Sequence, residues 1–187
     1  ILRVFWFIYG YVISATLFIR TIFDRTSGSM WSKAIRIDSG DYPETNSLDI
    51  AFNGTGEALA ISAQRNGIFV RRFTRNTGWL NAERIDQSEL VNESDRGQRE
   101  NPIIHFDAHG CAFASWQEDS AYKFTSGFSA TTWINVYTNE SGWKGAQHLD
   151  STFEHNNLVK TASDNQGNIM AVWSYSNDDH SAIMSKH

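Results

Sequence analysis

The segment HFDAHGC has the residue types that most often hold a metal ion. His105, Asp107, His109 and Cys111 alternate along it, and imidazole, carboxylate and thiolate groups are the usual ligands of zinc. A zinc site would need such ligands to converge from separate segments, and the spacing alone does not provide that convergence. Metal binding is therefore one interpretation of this segment. A structural role within a repeat is the other.

A second possible chemistry is glycoside hydrolysis. It requires two carboxylates, or an acid with a tyrosine nucleophile, facing each other across a pocket. The candidates are Glu118, Asp119, Tyr122, Asp178 and Asp179. None of them belongs to a recognised catalytic motif, so their types alone do not define an active site.

An internal repeat accounts for many of the remaining residues. Trp31, Trp79 and Trp143 each open the phrase W-x-x-A-x-x-[IL]-D, which reads WSKAIRID, WLNAERID and WKGAQHLD. These phrases alternate with turns of the form [DN]-x-x-G. The resulting unit is roughly 50 residues long, a range typical of propellers and solenoids.

The turns predict hairpins and also weaken the metal interpretation. They begin at Asn53, Asp107 and Asp164, and the glycine three residues later is expected to have a positive φ, which glycine adopts without strain. Asp107 is thus a turn residue. His109 corresponds to Thr55 and Gln166 at the same repeat position, neither of which is a good metal ligand. We therefore expect no metal and no cofactor.

The apolar runs predict about four short strands in each unit. Runs such as ALAI and IMAV are too short for helices and are bounded by glycine and polar loops. This pattern predicts an all-β chain, namely a β-propeller of four-stranded antiparallel blades. The unit boundaries fall at approximately 1–38, 39–86, 87–150 and 151–187, or about three and a half blades. We expect further blades of the parent chain, or a second copy, to close the ring.

The apolar stretch from Val4 to Ile19 fits the same register. Trp6 stands eight residues before Ser14, as Trp173 stands eight before Ser181. The stretch therefore predicts two strands, and we expect no membrane span.

The tryptophans mostly follow the repeat. Six of the seven occupy two repeat positions, which favours packing over ligand binding because buried aromatic side chains dominate core energetics. Trp133 occupies neither of these repeat positions and is a candidate for ligand contact.

Loops that vary between units gather on one rim of the predicted propeller, where repeat proteins usually bind ligands. These loops connect the fourth strand to the next unit and the second strand to the third. Together with Trp133, they provide the candidate ligand-binding residues Asp41, Tyr42, Glu44, Glu118, Asp119, Tyr122, Asp178, Asp179 and His180. A solvated acidic rim without a ligand is the alternative.

The combination of W-x-x-A-x-x-[IL]-D, the strand NPIIHFD and D-x-x-G-N-x-x-A-V-W resembles the tandem repeats of bacterial secreted or lipid-anchored propeller proteins, with lectin-like propellers as distant relatives. The resemblance implies a non-catalytic module that binds carbohydrate or a cell-surface partner, and a secreted, periplasmic or cell-surface location. A propeller-type, sialidase-like glycoside hydrolase is the alternative. The net charge of -5 argues against nucleic acid as a partner, since that would require a basic face.

Overall fold

The structure is a computed structural model that describes residues 34–37, 45–64, 66–87, 96–120, 130–149, 155–164, 166–176 and 179–187. The chain divides into two compact units, Ile1–Arg36 and Ile37–His187. The first is described only over residues 34–36, which form no regular element. The predicted strands between Val4 and Ile19 therefore lie outside the described residues. Within the described ranges, no helix is long and apolar enough to cross a membrane.

The described part of the second unit is all-β, without a helix, and its strands form three antiparallel sheets. Sheet 1 contains β1 (Thr45–Phe52), β2 (Ala58–Gln64), β3 (Gly67–Thr74), β4 (Gly78–Trp79) and β5 (Glu83–Arg84). Sheet 2 contains β6 (Arg96–Phe106), β7 (Ala112–Ser120), β8 (Ala130–Thr138), β9 (Gly142–Trp143) and β10 (Gln147–His148). Sheet 3 contains β11 (His155–Ser163), β12 (Ile169–Ser176) and β13 (Ser181–Lys186).

The strand order within each sheet follows the chain. The first strand pairs with the second and the second with the third, always antiparallel. In sheets 1 and 2 the tryptophan phrase contributes two two-residue strands, which pair with the same neighbour. In sheet 2 the backbone leaves the ladder at Gly145, which has a φ of 100°. Its N–H donates to Oδ1 of Asn135 at 3.1 Å instead of to a backbone carbonyl.

The hairpin turns have the predicted conformation. Gly56, Gly110 and Gly167 have φ values of 83°, 81° and 88°, so the prediction of positive φ is confirmed. In the first turn, Oδ1 of Asn53 accepts from the backbone N–H groups of residues 55 and 57 at 3.0 and 2.9 Å. The same two bonds recur at Asp107 and Asp164. The Asp or Asn side chain thus caps each turn.

Two apolar clusters join the sheets. The first lies between sheets 1 and 2 and includes Ile61 and Ile85 with Trp116. The second lies between sheets 2 and 3 and includes Ile134 with Trp173. The predicted burial of the tryptophans at the end of the second strand is confirmed for these two, whereas Trp6 lies outside the described residues.

The tryptophans of the repeated phrase are half-buried and pair with an aromatic residue of the third strand. Trp79 lies against Phe73 with ring centroids 5.4 Å apart, and Trp143 lies against Tyr137 at 5.5 Å. Each pair also forms a register partnership. The six-residue spacing between the two aromatics therefore places both rings on one side of a hairpin.

Candidate functional site

A cavity of about 370 Å³ lies where the first strands of the three sheets come together. We call it the first-strand cavity. Ser47–Asp49 of β1, Asn101–Ile103 of β6 and Val159–Thr161 of β11 line it, together with Ser115–Gln117 of β7. Four strands from three sheets thus contribute to one concave site.

The lining segments occupy matching positions of the repeat. Leu48 and Pro102 each stand five residues before the Asp or Asn that caps the following turn, and Val159 stands five residues before Asp164. All three line the cavity. The repeat therefore brings equivalent positions of three sheets to a common place.

Each first strand is irregular beside the cavity. The ladder shifts register between Thr45 and Ser47 in β1, between Glu100 and Ile103 in β6, and between Asn157 and Lys160 in β11. Bulges of this kind change the direction of side chains and are frequent beside binding sites. Here they interrupt the regular alternation of side chains where the cavity forms.

Asn101 fixes the irregularity in β6. Among the described residues it is the one non-glycine residue with a positive φ, at 50°, a conformation that asparagine tolerates better than most residues. Its Nδ2 donates to Oε1 of Gln117 at 2.7 Å, and its backbone N–H donates to Oγ of Ser47 at 3.0 Å. Asn101 thereby links β6 to both β1 and β7.

The charges on the lining are balanced. Asp49 contributes one carboxylate and Lys160 one ammonium group, and the other described lining residues are uncharged. Oδ2 of Asp49 accepts from the backbone N–H of Ile104 at 3.0 Å, so this carboxylate also connects β1 to β6. The cavity therefore presents no strong field of either sign.

Three lining residues bury a polar atom that has no hydrogen-bond partner among the described residues. The atoms are Oγ of Ser115, Nε1 of Trp116 and Oγ1 of Thr161. Ser115 and Trp116 are each 1% exposed. A buried polar group without a partner costs about 1–3 kcal/mol. Each of these atoms has less than 1 Å² of accessible surface, so they are packed within the wall of the cavity and are not open to it.

A buried ion cluster lies between sheets 1 and 2. Asp86, the last residue of the repeated phrase, is 0% exposed. Its carboxylate lies 2.7 Å from Nε of Arg84 and 2.6 Å from Nε of Arg99. Glu118 lies 3.9 Å from the same Arg99 nitrogen. Asp86 thus serves packing and charge compensation between neighbouring sheets.

This cluster corrects the expectation for Glu118. Glu118 and Asp119 were expected in an exposed connection, but β7 continues to Ser120 and includes both. Glu118 is buried, because it faces Arg99 in the adjacent strand. Trp133, another predicted ligand-binding residue, is 2% exposed and belongs to the first apolar cluster. Its ring centroid lies 3.9 Å from that of His148.

Two of the other predicted ligand-binding residues are described, and neither is among the described lining of this cavity. Asp179 and His180 are exposed and immediately precede β13. The remaining candidates, Asp41, Tyr42, Glu44, Tyr122 and Asp178, lie outside the described residues.

The sequence interpretation missed Asn101, Ser115, Gln117 and Thr161 as site residues. One signal was present. Asn101 precedes Pro102 inside β6, and proline within a strand often marks a bulge.

The two histidines of the segment from His105 to Cys111 form hydrogen bonds within the fold. Nε2 of His105 lies 2.8 Å from Oγ of Ser163, and Nε2 of His109 lies 3.1 Å from the carbonyl oxygen of Gln166. Burial raises the pKa of the Cys111 thiol, and nearby Asp107 adds to the shift. In the part of the chain that the structure describes, no three His, Cys, Asp or Glu residues are grouped to hold a metal ion.

A second, more open cleft of about 730 Å³ lies between the tryptophan phrases of sheets 1 and 2. Asn135 lines it and bridges the two phrases, because its Nδ2 donates to the carbonyl of Ile85 at 2.9 Å while its Oδ1 accepts from Gly145. Lys186 repeats the first of these contacts in sheet 3, donating to the carbonyl of Leu149 at 3.0 Å. These contacts hold neighbouring sheets in register.

No protein-family model matches this chain, and no curated protein matches it. The functional inference therefore depends on the geometry and chemistry of the sheets themselves.

Proposed function

We propose that this chain is a non-catalytic binding module built as a β-propeller array, and that it binds carbohydrate or a polar group of a cell-surface partner. The observation that carries the proposal is the first-strand cavity, where matching positions of β1, β6 and β11 line one site. In a propeller the blades surround a central axis. Convergence of equivalent positions on one cavity is the arrangement that such radial repetition would produce.

The lengths of the connections also support binding at one end of the sheets. The turns between first and second strands each span five residues, 53–57, 107–111 and 164–168. At the other end of these strands, the connections between second and third strands span two, nine and four residues. Connections that vary in length are where repeat proteins place their binding surfaces.

The carboxylates favour binding over hydrolysis. Two carboxylates facing each other across a pocket would be required for glycoside hydrolysis by the common mechanism. The described lining of the cavity provides only Asp49, which already accepts a backbone hydrogen bond. Asp86 and Glu118 are buried beside Arg99, so they act as counter-ions within the fold.

The test is a glycan array on the full chain, run beside a panel of fluorogenic glycosides. We expect glycan binding without hydrolysis. Lys160→Ala, at the cavity, should weaken binding at least tenfold. Lys144→Ala, which removes the same charge at the outer cleft, is the matched control and should bind normally. Glycoside turnover, or the absence of any bound glycan, would contradict the proposal.

A further inference from the structure

We propose that two copies of this chain associate, with the tryptophan phrase at 31–38 of one copy pairing with the edge of β13 in the other and sheet 1 stacking on the outer face of sheet 3. Within the described residues, β13 pairs only with β12. The third strands of sheets 1 and 2, β3 and β8, carry a tryptophan phrase on their other side. β13 is therefore an edge strand where its equivalents are interior.

β13 has the same place in its sheet as β8. Trp173 of β12 pairs with Met184, just as Trp116 of β7 pairs with Trp133, and both tryptophans stand six residues after the turn glycine. All six residues of β13 are nevertheless exposed. The edge of a sheet is a template for pairing with another chain. This edge fits an extended segment of the kind that covers β3 and β8.

The first tryptophan phrase is such a segment. In the second and third phrases, the residues four and five positions after the tryptophan form β5 and β10. The same positions in the first phrase are Ile35 and Arg36, and residues 34–36 form no strand. Ile35 is also largely exposed. Among the described parts of the three phrases, this is the one that has the matching sequence without the matching strand.

The repeat defines the register of the proposed pairing. In sheet 1, Glu83 of β5 pairs with Val70 of β3, and sheet 2 repeats this pair. The tryptophan phrases align Glu83 with Ile35. Val70 aligns with Ser185, because each lies opposite the fifth residue after the turn glycine. Ile35 of one copy is therefore expected opposite Ser185 of the other.

The face of sheet 1 that points away from sheet 2 is suited to the same association. Leu48, Ile50 and Phe52 alternate along β1, and all three are exposed. Ile50 is 48% exposed, whereas Ile104 at the same repeat position is 4% exposed and packs between sheets 1 and 2. Sheet 1 follows the first phrase along the chain as sheet 2 follows the second. A phrase bound to β13 would thus bring this apolar face over sheet 3 of the other copy.

The outer face of sheet 3 is apolar at the corresponding positions. Met170 is exposed, whereas its equivalent Phe113 packs between sheets 2 and 3. Ile183 is 84% exposed, whereas its equivalent Thr132 is 1% exposed. Stacking sheet 1 on sheet 3 would therefore continue the contact that already joins neighbouring sheets. The two surfaces differ, so each copy uses both when two copies exchange the contact reciprocally, which predicts a dimer.

The first test is a disulfide cross-link between two variants of the full chain, each with Cys111→Ala so that the introduced thiol is the only one. One variant carries Ile35→Cys and the other Ser185→Cys. Paired residues of neighbouring strands have the Cα separation that a disulfide requires. Mixing the two variants with oxidised glutathione should give a disulfide-linked heterodimer.

Ser181→Cys is the matched control for the cross-link. Ser181 is also an exposed serine of β13, but it lies four residues from Ser185, or roughly 13 Å along the strand. It should therefore not cross-link to Ile35→Cys. Equal cross-linking at the two positions would overturn the register.

The second test measures association by sedimentation velocity. We expect the full chain to be a dimer at micromolar concentrations. Ile50→Asp and Ile183→Asp should each weaken the dimer at least about tenfold, because an unpaired charge is costly in an apolar contact. Leu80→Asp is the control and should leave the dimer intact. Leu80 is exposed, and its equivalent in the third phrase is the exposed Lys144, so this position accepts a charge.

Three other outcomes would overturn the proposal. One is a monomer at every concentration, and another is a dimer that neither aspartate weakens. The third is found with Ile35→Cys and Ser185→Cys in a single chain. A cross-linked product with the mass of one chain would show that the phrase pairs with β13 of its own copy, and the second copy would then not be the occupant. Circular dichroism of each variant confirms that a lost dimer does not reflect a lost fold.

Discussion

The repeated aspartate of the tryptophan phrase gives the sharpest test of the energetics. In Asp86→Asn the side chain keeps its shape and loses its charge. Arg99, whose side chain is 5% exposed, would then lose the carboxylate that lies 2.6 Å from it. Breaking a buried ion pair by removing one partner destabilises a protein by about 3–5 kcal/mol. We expect about 3 kcal/mol, at the lower end, because Glu118 lies 3.9 Å from the same nitrogen and offsets part of the lost charge.

A half-exposed ion pair in sheet 1 provides the control. Arg72 and Glu57 lie 2.9 Å apart, but their side chains are 34% and 29% exposed. Water screens such a pair, and exposed pairs contribute about 0–1 kcal/mol. Glu57→Gln should therefore reduce the free energy of unfolding by less than about 1 kcal/mol, although the pairing distance is similar.

The measurement is urea unfolding of the full chain at neutral pH, with each variant compared with the parent. The double variant Asp86→Asn with Arg99→Met removes both charges and should be more stable than Asp86→Asn alone, since no buried charge is left uncompensated. Equal losses for Asp86→Asn and Glu57→Gln would refute the argument that burial decides the contribution of these ion pairs.

Three further outcomes follow from local geometry. Gly56→Ala should lower the free energy of unfolding by about 1–2 kcal/mol because the φ of Gly56 is 83°. Gly54 lies in the same turn, and an added Cβ there meets nothing within 4 Å, so Gly54→Ala should change stability by less than about 0.5 kcal/mol. Equal effects in urea unfolding would contradict the turn assignment. Asn135→Leu leaves a carbonyl and an amide unpaired at the outer cleft and should cost about 3 kcal/mol; a loss below about 1 kcal/mol would show that the amide does not bridge the sheets. Hydrogen bonds lower the pKa of Asp164, so the stability from its carboxylate is present above the ordinary carboxyl pKa and is lost as pH falls through the lowered value. Asp164→Asn should keep the turn, since Asn53 occupies the same position in the first turn. It should remove the loss of stability between roughly pH 5 and pH 2, the window that includes carboxyl titration. An unchanged dependence of stability on pH would contradict this role of the carboxylate.

The turns could be predicted from sequence because their chemistry is local. Asn53, Asp107 and Asp164 cap their own hairpins, and the glycine that needs a positive φ follows within the same few residues. The all-β class and the order of strands followed from the same periodicity. The side chains and backbone groups that form each turn lie within a few residues of one another, so the sequence pattern of the turn is sufficient to predict it.

The burial of two candidate residues could not be predicted in the same way, because their contacts join distant segments. Glu118 resembles an exposed loop carboxylate until the extension of β7 places it beside Arg99. Trp133 falls outside the repeated tryptophan positions, yet the first apolar cluster covers it. In both cases burial depends on a neighbouring strand and not on the local sequence.

The repeat also separates structural residues from specific ones at the cavity. The turn glycines, which recur with the same type, shape their own hairpins, and Asp86 of the tryptophan phrase joins sheet 1 to Arg99 of sheet 2. At the cavity the same repeat position carries Asp49 in β1, Ile103 in β6 and Lys160 in β11. A purely structural position in a stacked array would favour one residue type, since each copy packs in a similar environment. The divergence of charge and size where three equivalent strands meet is what the proposed ligand site would require, since each strand would then contact a different part of the ligand.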